Sequence, residues 1–159
     1  MIKSVIKAST YKTPPSIIEG ICQLLDVLKT GREQYERAAF SVADPQFRYA
    51  ISVLAQENNQ YECELASQLS ILGVNVDTEP TQSIRKTDVT TDQLTGSKVA
   101  LPVQLLQYCR ENEKQVINAY RKILNEPYLM DGVRKLMRTQ LNGIMYAFLQ
   151  LKLLSITAF

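Results

Sequence analysis

Residues 44–73 read DPQFRYAISVLAQENNQYECELASQLSILG, and their spacing decides the fold class. Asp44 is a strong N-cap residue and Pro45 suits the first helical position, where no amide donor is needed. Gly73 is the residue that most cheaply takes the left-handed conformation after a last turn. Between them Phe47, Ala50, Ile51, Leu54, Tyr61, Leu65, Leu69 and Leu72 recur at three- and four-residue steps, the signature of one buried helical face. At the middle of that face the chain supplies Glu57, with Gln60 three residues on. A carboxylate on the inner face of a long helix is where a helical bundle with a dinuclear metal centre keeps part of its ligand set. Here no histidine follows it.

Composition bounds the rest. A chain of 159 residues suits one domain large enough to bury a core without disulfides or metal. With 45% hydrophobic and 21% charged residues it reads as an ordinary globular protein. A formal net charge of +2 and the lack of any Lys/Arg block argue against nucleic acid or an acidic membrane surface as partner. No apolar run reaches the roughly 18 residues that span a bilayer. MIKSVIKASTYKTPP has no continuous apolar core or cleavage motif, so no signal peptide is expected. Three cysteines (Cys22, Cys63, Cys109), odd in number and inside expected helices, suit reduced thiols in a cytoplasm. The chain has no histidine.

In order, an arm over 1–15 is stopped by two prolines. Ser16 and Glu19 have capping-box spacing. Ile17, Ile18, Ile21, Leu25, Leu28, Tyr35, Ala38, Ala39 and Val42 then mark a first helix over 17–42. Gly31 in its middle costs about 1 kcal/mol relative to Ala unless a neighbouring helix needs the space. The second helix covers 45–72, and the short link between the two forces an antiparallel hairpin. Residues 74–100 are rich in Thr, Ser and Asp with no sustained period. A helix of about 27 residues is about 40 Å long, and an extended chain spans that distance in about 12 residues. The connection can therefore run the length of a bundle, as ferritin-like crossovers do; the alternative is a disordered or locally folded excursion. A third helix over 102–125 (Val103, Leu106, Cys109, Val116, Ile117, Tyr120, Ile123, Leu124) reaches a turn at Glu126-Pro127. A fourth over 128–154 buries Leu129, Val133, Leu136, Met137, Leu141, Ile144, Phe148, Leu151 and Leu154. The expected architecture is a single all-α domain over 1–159: a ferritin-like four-helix bundle with hairpins over 16–72 and 102–155, joined by a crossover over 73–101. The acidic-Pro turns (Asp44-Pro45, Glu126-Pro127), each followed by a long apolar helix, read as a duplicated hairpin.

GREQYERAAFSVADPQFRYAISVLAQENNQYECELASQLSILG, CRENEKQVINAYRKIL and QLNGIMYAFLQLK together resemble an uncharacterised bacterial family of ferritin-like four-helix-bundle proteins, a domain of unknown function within the rubrerythrin/ferritin-like superfamily. The resemblance covers about residues 17–154. It implies an oligomeric bundle with no established substrate. Where the family more often carries an acid, this chain has Arg32.

Following each apolar stripe to its helix centre picks out Arg32, Glu57, Glu113 and Gln140, at similar heights above the short turns. A di-iron bundle places four carboxylates and two histidines there. This chain offers two carboxylates and a guanidinium, which leaves two hard cations under-coordinated beside a fixed positive charge. The same four residues suit a metal-free polar layer. Arg32 presents five donors to Glu57 and Glu113, and the Gln140 amide fills a remaining lone pair. Glu62 and Glu64 are expected on solvated flanks. Rotating the first helix by one residue turns Glu33 inward instead, and Glu33, Glu57 and Glu113 then become candidate metal ligands for iron or manganese.

Other chemistry is sparse. The cysteines have neither CxxC spacing nor a histidine partner, and no Gly-rich phosphate loop or Ser/His/Asp set is present. Tyr35, Tyr61 and Tyr120 lie on inner faces, as core residues or as a radical relay beside a metal. Three function classes stay open: a non-catalytic structural or interaction module, a metal-binding oxidase- or storage-like relative, and a small-ligand binder. The first is expected, with no cofactor and with a homodimer or a protein partner, away from nucleic acid and membrane.

Overall fold

The computed structural model describes residues 13–75 and 102–158. The arm expected over 1–15 and the crossover expected over 73–101 fall mostly outside those residues. Among them the chain is helical, with four helices and no strand: α1 (Pro15–Phe40), α2 (Pro45–Ile71), α3 (Pro102–Leu124) and α4 (Asp131–Ala158). Helix α1 packs on α2 and α3, and α4 packs on the same two.

The α2 punctuation forms as its sequence dictates. The Asp44 carboxylate accepts a hydrogen bond from the Phe47 amide at 3.0 Å. At the other end Gly73 stands at φ 87°. Its amide donates to Ser70 O at 2.9 Å and the Val74 amide donates to Leu69 O at 2.8 Å. That is a Schellman ending, which uses two carbonyls the helix leaves unpaired. Val74 and Leu69, the residues such a motif brings together, are both buried in one apolar cluster.

Several boundaries differ from expectation: α1 ends at Phe40 rather than 42, α4 runs on to Ala158 rather than 154, and both helices start elsewhere than expected. Helix α1 starts at Pro15 with Pro14 in the cap position and no side-chain cap, so the Ser16–Glu19 capping box does not form. Proline at the first helical position presets φ and starts the helix two residues earlier. Helix α4 starts at Asp131 rather than near Tyr128. Pro127 and the turn behind it hold 126–130 out of the helix, while Leu129 is still buried. Both short turns are clasped alike by an arginine from the following helix. Arg48 donates to Val42 O, and Arg134 donates to Leu124 O and Glu126 O.

The core falls into two clusters. One joins the start of α1 (Ile17, Ile18, Ile21, Leu24, Leu28) to the ends of α2 and α3 (Leu65, Leu69; Tyr120, Ile123) and the first half of α4 (Val133, Met137, Ile144). The other joins Tyr35, Ala38 and Val42 to Phe47, Ile51, Leu54, Leu105, Cys109, Phe148 and Leu151. Between them, on the middle turns of α1, α2 and α3, lie Arg32, Glu33, Asn58, Glu62 and Asn112, all buried.

Candidate functional site

This polar waist is built chiefly by α1 and α2. Arg32 is buried, and its Nε donates to Glu62 Oε2 at 2.7 Å while Nη2 donates to Glu62 Oε1 at 3.3 Å. Two parallel bonds between a guanidinium fork and a carboxylate fix direction as well as distance. Nη1 lies 3.8 Å from Glu36 Oε2, one turn on along α1. Desolvation works against the Arg32 charge, but the Glu62 hydrogen bond and the charges of Glu62, Glu36 and Glu33 outweigh it and raise its pKa. Asn58, one turn before Glu62, donates from Nδ2 to Leu28 O at 3.1 Å. Gly31 makes that approach possible: a Cβ there would lie 3.0 Å from Asn58 Nδ2.

A second set of bonds ties α2, α3 and α4 together. The buried Tyr120 hydroxyl donates to Gln140 Oε1 at 2.9 Å, and Gln140 Nε2 donates to Glu64 Oε1 at 2.8 Å. Gln60 Nε2 holds the other Glu64 oxygen at 3.0 Å. Gln140, 1% exposed, thus has both ends of its amide satisfied.

The expected layer of Arg32, Glu57, Glu113 and Gln140 is therefore redistributed. Arg32 and Gln140 are buried as the stripe arithmetic requires, but the bidentate partner of Arg32 is Glu62, not Glu57 or Glu113. Glu62 is 5% exposed rather than on a solvated flank. Glu57 lies half-buried beside a groove between α2 and α4. Burial pushes its carboxyl up in pKa, partly offset by a hydrogen bond from the Tyr61 hydroxyl, and Glu57 Oε1 has no hydrogen-bond partner among the described residues. Glu113 is half-buried on α3; burial raises its carboxyl, while Lys152 and Arg110 lower it. Glu33 is buried along with Arg32, so the choice between adjacent residues of α1 does not arise: both face inward. Among the described residues no three or more His, Cys, Asp or Glu side chains form a group able to hold a metal ion, so Glu33, Glu57 and Glu113 do not fit a di-iron centre. The Cys109 thiol is buried, and desolvation pushes it up to about 12, which suits a small core side chain rather than a nucleophile.

Asn58, Glu62 and Asn112 are among the buried polar residues that stripe counting passes over, as are Arg37, Ser41 and Ser155. From Leu54 a helical face continues equally well to residue 57 or 58, and back from Leu65 to 61 or 62. The apolar body of Tyr61 favours the wrong pair. A counter that lets polar residues stand inside finds Leu54, Asn58, Glu62, Leu65 and Leu69, a face as regular as the other.

Comparison with models of known protein families, with curated proteins and with solved structures finds no match.

Two expectations follow. Arg32→Met should cost about 3–5 kcal/mol, measured by urea denaturation, because it leaves the Glu62 carboxylate buried and uncompensated. Adding Glu62→Leu should recover most of that loss; additive losses would show that the two do not act as a pair. The second concerns pH. The folded-state pKa values of Glu57 and Glu113 lie above the ordinary 4.5, so the folded chain binds more protons than the unfolded one. Their contribution is fully present below pH 4.5 and is lost as pH rises through the folded values. Glu57→Gln with Glu113→Gln should match the parent chain near pH 4 and become progressively more stable than it toward pH 7. A stability difference that stays flat across this range would contradict the assignment.

Proposed function

We propose that the chain is a ferritin-like four-helix bundle whose centre is a metal-free salt-bridged layer. In this reading it acts as a non-catalytic structural or protein-interaction module in the cytoplasm, as a homo-oligomer or with a protein partner. The carrying observation is the Arg32–Glu62 fork, which puts a hydrogen-bonded guanidinium in the bundle's middle, where a di-iron relative needs carboxylates. A fixed cation there disfavours a second one, and Glu62 already has both oxygens occupied.

Helix directions support the ferritin-like part. Gly20 near the start of α1 lies against Ile123 near the end of α3. Pro45 at the start of α2 and Leu154 near the end of α4 line one groove. Antiparallel hairpins with this packing set α2 and α3 parallel, the arrangement that a ferritin-like bundle has. The non-catalytic part is supported by the lack of histidine and by the buried, protonated Cys109. No helix among the described residues is long and apolar enough to cross a membrane.

Metal content tests the reading. Protein purified without chelator should carry iron and manganese well below one ion per chain by elemental analysis, and added Fe(II) or Mn(II) should leave Tm unchanged. Stoichiometric metal, with a Tm rise lost in Glu57→Ala or Glu113→Ala, would overturn it.

A further inference from the structure

Helix α4 is apolar on two faces. Val133, Met137, Gln140, Ile144, Phe148 and Leu151 face the core. On the opposite side Met145, Tyr146, Leu149, Leu153 and Ile156 are between 41% and 71% exposed. Tyr146, Leu149, Leu153 and Ile156 follow one another at steps of three, four and three, the seam spacing of a coiled coil. From Leu141 to Phe159 the sequence holds one charged residue, Lys152. A helix apolar all round is ordinarily a covered one. The patch continues across the groove to Tyr49, 70% exposed on α2, which lines it with Tyr146.

We infer that this outer seam of α4 is a homodimer interface, in which two copies pair antiparallel about a twofold axis between Leu149 and Leu153. The inference rests on the interaction-module reading and names its surface. Three observations select a second copy as the occupant.

The first is size. At about 150–250 Å² for a large side chain, six such residues leave on the order of 500–850 Å² open, near the ~800 Å² per partner of a standard interface. The largest apolar patch on a typical monomer is about 300–600 Å².

The second is charge. An uncharged seam is its own complement and gives an oppositely charged partner nothing to recognise. Lys152, at its flank, lies near Glu113 of the same chain.

The third is register. Antiparallel pairing about this axis sets Leu149 of one copy against Leu153 of the other, and Tyr146 against Ile156. Exposed Lys135 and Arg138 on the same helix then fall beyond the end of the other copy's α4. Parallel pairing would set Arg138 against Arg138.

Sedimentation equilibrium of the full chain tests this. The parent should be a dimer at about 100 µM. Leu149→Glu with Leu153→Glu should raise the dissociation constant at least about 100-fold, tenfold or more for each charge placed in the seam. Both residues are half exposed, so helical circular dichroism should be unchanged. Phe40→Glu, an equally large change at an exposed apolar residue on α1, should leave the dimer intact. In a Cys63→Ser background, Leu149→Cys and Leu153→Cys chains should cross-link to each other in preference to themselves. A parent that is monomeric at that concentration overturns the inference but leaves a heterologous protein partner open. A dimer that survives the double charge substitution overturns the seam while the homo-oligomer reading stands. Preferred cross-linking of like chains overturns the antiparallel arrangement.

Discussion

The Arg32–Glu62 ion pair is the constraint on which the rest of this bundle depends. Both side chains are removed from water, with side-chain exposures of 9% and 6%. Desolvating two charges costs several kcal/mol each, and their attraction offsets this only when geometry is good and other hydrogen bonds are made. The fork meets the first condition at 2.7 and 3.3 Å. A pair of this kind adds little net stability, yet it is unforgiving of any arrangement in which one partner is left alone. Sliding or rotating α1 against α2 would leave a buried charge unmatched. The pair thus sets the register that the apolar clusters on either side fill.

Neighbouring features follow from that register. Asn58 approaches the α1 backbone because Gly31 has no side chain, and its bond to Leu28 O lies one turn from the ion pair. The waist separates one apolar cluster, fed by the start of α1, from another fed by its end. Tyr120, Gln140 and Glu64 carry the polar connection from α3 through α4 to α2. In a dry interior such chains favour one packing over near alternatives, because each half-satisfied competitor leaves a donor or acceptor unpaired.

Local rules made much of the fold legible. Asp44, Pro45 and Gly73 carry backbone information that depends on no distant contact, and the ends of α2 form where they say. Arg32 and Gln140 could be placed inside because each sits between apolar residues on its stripe, although on α1 the neighbouring Glu33 competed for the same place. Partner choice was not legible. Glu57 and Glu62 are both acids near the middle of α2, and deciding which meets Arg32 takes a helix rotation of a fraction of a turn, set by packing against α1 and α4 together. Burial of Glu62 also contradicts the ordinary preference of an acid for solvent, which only the arginine opposite reverses. The start of α4 is not legible for a related reason: the residues after Pro127 are apolar and periodic enough to read as helix, but Arg134 and the buried Leu129 hold them in a turn.

The measurement that bears most directly on the central claim is a ¹⁵N-edited NMR spectrum of the arginine Nε–H groups. If Arg32 is locked onto Glu62, one Nε–H should resonate apart from the rest and exchange slowly with water. It should vanish in Arg32→Lys, move in Glu62→Gln, stay in place in Glu57→Gln, and keep its linewidth when Mn(II) is added. An Arg32 Nε–H that exchanges like those on the surface, responds to Glu57→Gln rather than Glu62→Gln, or broadens with Mn(II) would contradict a metal-free ion pair at the centre of this bundle.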